Sequence, residues 1–297
     1  MNTYKNLIIK GKYDLVHTHT PVASACVRLA CRCLKDVKVY YTAHGFHFFK
    51  GAPIKNWLSY YLVEKWLSIY TDLIVTINKE DYNRARHSFW AGKVEYMPGV
   101  GLDVSKYRNI EVDKLEKRSE IGIPEDAFVV LSVGELNVNK NHGTCIRALA
   151  KLKNPQIHYV ICGAGPLHDY LLGLARELGL VAHVHLLGYR GDVGEVCKAS
   201  DVFAFPSLRE GLGMSALEAM ACGLPLVTSN VHGIVDYSVN GVTGYTCDPM
   251  DVDGFAESIG KLFLDEQLRS RFSNFNKAFA ENFSKEQTLK SLRKIYG

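Results

Sequence analysis

The chain has 297 residues, 47% of them apolar, and a net charge of +4. That length exceeds what one hydrophobic core usually serves, so two domains are expected, and a mild charge without any dense Lys/Arg block does not suggest a nucleic-acid binder. No run of about 18 apolar residues exists to span a membrane, the first twenty residues lack the apolar segment of a signal peptide, and the eight cysteines, with no C-x-x-C pair among them, read as small hydrophobes in a reducing cytosol.

In chain order, Asp14–His17 reads as a strand, Val22–Leu34 as a helix, Lys38–Thr42 as a strand and Ile54–Ile69 as a helix. Asp72–Ile77 is a strand, Lys79–Phe89 a helix and Lys93–Pro98 a strand. The Ile54–Ile69 helix carries Trp57, Tyr60, Tyr61 and Trp66 beside Lys55 and Lys65, a composition that suits either a core-facing aromatic stripe or a lipid interface. The polar stretch Asp103–Glu125 is expected to be a linker with one short helix. The alternation then resumes with strands at Phe128–Val133, Ile157–Cys162, His183–Leu187, Val202–Phe205 and Pro225–Thr228. Between them lie helices at His142–Leu152, Pro166–Leu178, Val193–Ala199 and Met214–Cys222, and three more helices close the chain from Asp251 onward. Alternating strands and helices imply an α/β protein with parallel sheets covered on both faces. The expected domains are residues 1–107, residues 108–282, and a terminal helix over 283–297 that packs back on the first. Ligands in such sheets bind beyond the carboxyl ends of the strands.

One segment concentrates the chemistry. Strand Val202–Phe205 runs through Pro206-Ser207-Leu208-Arg209-Glu210-Gly211-Leu212-Gly213 into the helix Met214–Cys222 and then Gly223-Leu224-Pro225. Glycines at 211 and 213 permit close approach of backbone to a ligand, and the exposed amides of a helix start attract an anion such as phosphate. Glu210 before the helix and Glu218 within it can each accept hydrogen bonds from vicinal hydroxyls, as sugars and ribose require. Taken alone, an acidic pair at this spacing is more often a solvated loop charge and a helix-surface charge.

The whole block, however, resembles the signature of the retaining glycosyltransferases of family 4, whose fold is GT-B: two Rossmann-like, doubly wound domains facing a cleft. The resemblance implies that Glu210 contacts the donor sugar, that Glu218 holds the ribose, and that the amides at Leu212, Gly213 and Met214 face the sugar and diphosphate. A second similar segment, Val133-Gly134-Glu135-Leu136-Asn137-Val138-Asn139-Lys140-Asn141-His142, supplies Lys140 where the family places a lysine against the departing diphosphate. Glu135 stands where the family often has arginine, a departure for which Asn139, Asn141 or His142 are the expected compensating donors. His19, at the end of Asp14-Leu15-Val16-His17-Thr18-His19, matches a family histidine near the reacting sugar; His44 and Gly45 match its acceptor-side loop. Gly163, in Gly163-Ala164-Gly165, and Tyr189-Arg190 are similar to segments bordering the nucleotide base.

The resemblance implies an enzyme that moves a hexose or N-acetylhexosamine from a UDP-sugar to a polyprenyl-diphosphate-linked glycan in capsule or exopolysaccharide synthesis, in the cytoplasm or on the inner face of the membrane. His19, Lys140 and Glu210 are the expected catalytic residues. No cofactor and no metal are expected: the D-x-D of Asp251-Val252-Asp253 precedes a helix and reads as an N-cap. The family normally opens with a further strand and glycine-rich loop, so the first domain is expected to be incomplete. A catalytically silent nucleotide-binding remnant is the alternative, and a nucleotide-sugar epimerase a third reading.

Overall fold

The computed structural model describes residues 2–297, the side chain of Asn2 excepted. It forms two compact units, one running to Gly101 and including Glu286–Gly297, the other Leu102–Lys285.

The first unit contains α1 (Asn2–Gly11), β1 (Leu15–His19), α2 (Pro21–Cys31), β2 (Lys38–Ala43), α3 (Ile54–Asn56), a π-helical turn (Trp57–Tyr61), α4 (Leu62–Leu67), β3 (Leu73–Thr76), α5 (Lys79–Ser88) and β4 (Lys93–Tyr96). The strands pair in parallel in the order β1-β2-β3-β4, with Leu15 opposite Lys38, Tyr40 opposite Leu73 and Leu73 opposite Lys93. Local signals fix the edges of these elements. Asn78 caps α5 by accepting from the Asp81 amide, and Asp72 accepts from the Val39 amide where β2 begins. Between sheet and helices, Arg28 of α2 is wholly enclosed, pairs with Glu64 of α4 at 2.8 Å and lies 4.4 Å over the Tyr41 ring. The aromatic helix divides its side chains. Trp57 and Tyr61 pack on the core around Phe46 and Phe48, whereas Ile54, Leu58, Leu62, Trp66 and Ile69, spaced by one helical turn each, form an exposed ridge.

The second unit contains α6 (Val104–Arg108), α7 (Lys114–Glu120), β5 (Phe128–Val133), α8 (His142–Leu152), β6 (Ile157–Cys162), α9 (His168–Glu177), β7 (Val184–Gly188), α10 (Val193–Ala199), β8 (Val202–Phe205), α11 (Met214–Cys222), β9 (Leu226–Ser229), β10 (Gly244–Cys247), α12 (Val252–Leu264) and α13 (Glu266–Phe279); α14 (Lys285–Tyr296) follows and returns to the first unit. Six parallel strands lie in the order β10-β9-β8-β5-β6-β7. Chain order therefore reverses between β5 and β8, which is the doubly wound arrangement with its switch point there. In the first sheet, strands follow chain order and the described residues contain no such reversal.

Two expectations are corrected here. The stretch 103–125 is not a free linker but part of the second unit: the Arg118 guanidinium is buried against the Ala199 carbonyl at 2.9 Å and Asp201 at 2.7 Å, and Lys117 reaches Asp192 and Glu195. Its charges are spent on internal partners, which composition alone does not reveal. The boundary accordingly falls after Gly101 rather than after Tyr107, because α6 packs on α11. Strand β10 and the 3-10 turn His232–Asp236 were also not anticipated, since their residues follow neither apolar period.

Candidate active site

The switch point sets β5 and β8 side by side, so the segments leaving their carboxyl ends meet. Ser132 donates to the Ala204 carbonyl at 2.5 Å, and Ser215 in the first turn of α11 donates to the Val133 carbonyl at 3.0 Å. Beyond the strands the two loops are laced together: the Leu208 amide donates to the Asn139 carbonyl at 2.8 Å and the Asn139 side chain to the Arg209 carbonyl at 2.9 Å. Asn141, in the left-handed region at φ 52°, donates to the carbonyls of Pro206 and Pro249. The expectation that Asn139, Asn141 or His142 offers free donors to a ligand is therefore corrected. Both amides are committed to loop carbonyls, and the His142 ring is buried against the Tyr159 hydroxyl at 3.2 Å.

At the mouth of this junction Lys140 and Glu210, seventy residues apart in the chain, form a 2.6 Å ion pair, both largely shielded from solvent. The Lys140 ammonium also stands 4.9 Å from the centre of the Phe205 ring, and its backbone amide is anchored on Asn137. Glu135 is exposed and accepts from the Asn137 side chain at 2.8 Å. Gly213 precedes α11 at φ 90°, where a Cβ would meet Phe205 Cε1 at 2.6 Å, so no other residue fits without displacement. No side chain caps α11, which leaves its leading amides uncommitted to a cap. Gly233 backs the loop: its amide donates to the Glu210 carbonyl at 3.1 Å, and a Cβ there would stand 1.9 Å from the Gly211 carbonyl oxygen. Gly233→Ala is thus expected to push the 210–213 loop outward and destabilise the second unit by about 1–3 kcal/mol, the usual cost of overpacking, as checked by denaturant titration.

Glu218 is half-buried, one turn into α11, with Tyr107 of α6 as an electrostatic neighbour. Burial raises its pKa, opposed by the influence of Tyr107 and the charge of Lys106. Tyr107 was missed in the sequence because it lies in the stretch read as linker. Gly163 brings β6 so close to β5 that a Cβ would stand 1.9 Å from the Gly134 carbonyl oxygen, and its amide donates to the Gly188 carbonyl. At the end of β7, Tyr189 is 88% exposed. Arg190 is held by Asp192 and by Glu120 at 2.7 Å, contacts that raise its own pKa.

In the first unit, β1 and β2 end together and present His19 and His44, whose ring nitrogens are 2.9 Å apart; Gly45 follows at φ 122°. His17, not singled out beforehand, stacks on His19 at 4.6 Å, shares a hydrogen bond of 2.8 Å with Thr42 and another with the Tyr296 hydroxyl of α14. Its significance is invisible in sequence because Tyr296 lies at the far end of the chain. Burial, then the neighbouring His19 and His44, lowers the His17 pKa to about 4 from 6.5, and burial followed by His19 lowers that of His44. The unfolded chain therefore binds protons between those values that the folded chain refuses. Stability from this cluster is complete above pH 6.5 and is lost as pH falls toward 4. His17→Gln is expected to flatten that acid limb, read from denaturant midpoints across pH 4–7.

Asp251 caps α12 by accepting from the Gly254 amide at 2.9 Å, and Asp253 pairs with Lys151.

Comparison with known proteins agrees with this architecture. The model of the family "Glycosyl transferases group 1" matches residues 113–279, and that of "Glycosyl transferase 4-like" matches residues 1–78. EpsD of Bacillus subtilis is 38% identical over 98% of this chain and 78% of its own length. The UDP-Gal:alpha-D-GlcNAc-diphosphoundecaprenol alpha-1,3-galactosyltransferase of Escherichia coli is 29% identical over 100% of this chain and 78% of its own. Among solved structures, Anabaena HepE in complex with UDP superposes with a TM-score of 0.87 at 22% identity, over 99% of this chain and 82% of that one. Sucrose-phosphate synthase from Thermosynechococcus elongatus gives 0.86 at 23% identity, over 99% and 76%. The paired parallel sheets and the block from Val202 to Pro225 are thus those of a GT-B protein, and the chain belongs to the group 1 glycosyltransferases.

Proposed function

We propose that this glycosyltransferase moves a hexose or N-acetylhexosamine from a UDP-sugar, with retention of anomeric configuration, to a lipid-linked glycan acceptor in the synthesis of a cell-surface polysaccharide such as a capsule or exopolysaccharide. The observation that carries this reading is the Lys140–Glu210 pair set beside the uncapped start of α11. A cation and free amides there suit a diphosphate, and an adjacent carboxylate suits sugar hydroxyls. HepE has been solved with UDP and glucose, and the E. coli relative acts on a diphosphoundecaprenol-linked sugar.

In this reading Lys140 and the amides at Leu212, Gly213 and Met214 hold the diphosphate, Glu210 orients the donor sugar, and Glu218, steadied by Tyr107, grips the ribose. Gly134, Glu135, Asn139 and Gly163 shape the donor pocket, and Tyr189 and Arg190 border the base. His19, His44 and Gly45 serve the acceptor side. The bond from the anomeric carbon to the diphosphate oxygen breaks, and the acceptor hydroxyl oxygen bonds to that carbon on the same face. The acceptor's proton passes to the departing diphosphate. Lys140 and the amides stabilise the charge that develops there, the task a metal performs in other transferases. Incubation with UDP-sugars and a diphosphoprenyl-linked acceptor tests the reading through UDP release and the anomeric configuration of the product. Absence of transfer with every matched pair sinks it, and UDP binding without turnover points instead to a catalytically silent nucleotide-binding protein.

The exposed ridge from Ile54 to Ile69, flanked by Lys55 and Lys65, supports peripheral docking on an anionic membrane face, where the acceptor lipid resides. No helix among the described residues is long and apolar enough to cross a membrane. Joint Leu58→Glu and Trp66→Glu substitution is expected to reduce co-sedimentation with anionic vesicles several-fold; undiminished binding refutes this placement.

A further inference from the structure

Tyr237 follows the 3-10 turn His232–Asp236, is fully buried, and its hydroxyl has no hydrogen-bond partner among the described residues. A buried hydroxyl left in that condition is unfavourable, and such groups repay inspection for a state in which an acceptor arrives. The surroundings indicate which acceptor. A Cβ on Gly213 would stand 3.0 Å from the Tyr237 oxygen and 2.6 Å from Phe205 Cε1, so the hydroxyl sits behind the start of α11, close to the edge of the Phe205 ring. The Lys140 ammonium lies 4.9 Å from the centre of that same ring while bonded to Glu210. The segment bearing Tyr237 is joined to Glu210 through the Gly233 amide. Burial and the charge of Glu210 both hold the phenol in its protonated, donating form.

We infer that Tyr237 is a positioning residue for Glu210: when a donor diphosphate draws the Lys140 ammonium away, the Tyr237 hydroxyl donates to the carboxylate that the lysine leaves. In the free protein the lysine occupies Glu210 and the phenol has no acceptor. In the nucleotide complex the glycines at 211 and 213 let the loop settle onto the phenol, so that both groups are satisfied and the sugar-facing carboxylate is held in one place. This rests on the proposed placement of the diphosphate at Lys140.

The test is calorimetric titration of UDP into the full chain and into Tyr237→Phe, with thermal melts of both free proteins. Phenylalanine keeps the ring and removes only the unpaired hydroxyl, so the free variant is expected to melt no lower than the wild type. Its UDP affinity is expected to fall roughly tenfold, the weight of one hydrogen bond to a charged acceptor. In a Glu210→Ala background the same substitution is expected to have no further effect, a coupling that a merely structural tyrosine does not show. Equal UDP affinity of Tyr237→Phe and wild type, or an undiminished effect without Glu210, overturns the role of Tyr237. A wild-type chain that binds no UDP overturns the functional reading itself, and the inference with it.

Discussion

Lys140→Ala is expected to lower the turnover of sugar transfer by roughly 10²–10³, the usual consequence of removing one preorganised group that stabilises developing anionic charge. The estimate follows from what Lys140 touches. In the free protein its ammonium is 2.6 Å from Glu210 in a setting largely shielded from water, so its charge is little screened. In the proposed reaction negative charge grows on the leaving oxygens as the sugar–diphosphate bond breaks, and an ammonium that donor binding has already drawn onto the diphosphate gains interaction energy without further reorganisation. Both side chains nevertheless keep some contact with solvent, so water can rehydrate Glu210 once the lysine is gone and the cost to folding is expected to be about 1 kcal/mol. The variant should therefore melt close to the wild type while losing activity, and Lys140→Arg should recover part of the turnover. Steady-state UDP release beside a thermal melt distinguishes the outcomes; a turnover within threefold of wild type removes Lys140 from the mechanism.

Arg28→Ala is expected to destabilise the first unit by about 3 kcal/mol, the lower end of the range for removing one partner of a buried ion pair. Arg28 has no exposed surface, pairs with Glu64 and lies over the Tyr41 ring. Two effects compete once it is gone. Leaving Glu64 ionised in that site is costly, yet burial already raises its pKa, so the orphaned carboxyl can take up a proton and limit the loss. The second effect sets the lower figure and gives it a sign: the defect should shrink as pH falls. Arg28→Met combined with Glu64→Leu should restore most of the stability, since well-packed apolar replacements of a buried pair are often neutral. Denaturant titrations at two pH values measure both effects, and a loss under about 1 kcal/mol would show that water reaches the pair.

Much of this molecule was legible before any coordinates. The apolar runs of Phe128–Val133 and Ile157–Cys162 mark strands buried on both faces, and Gly213 before Met214 marks a helix start open to an anion. Those signals are local, carried by residues within a few positions of one another. The segment 103–125 misled because Lys117 and Arg118 look solvated until Asp192 and Asp201, some eighty residues later, are brought to them.

The alternating elements, the two-domain organisation and the block from Val202 to Pro225 that marks the family could all be read from residue order. That β5 lies beside β8, that Lys140 closes on Glu210 and that His17 meets Tyr296 emerges only in three dimensions. The physical reason is that each strand's period is set by its own side chains. Strand order is set instead by how helical crossovers pack across the whole sheet, and every pairing in the site is a consequence of that order.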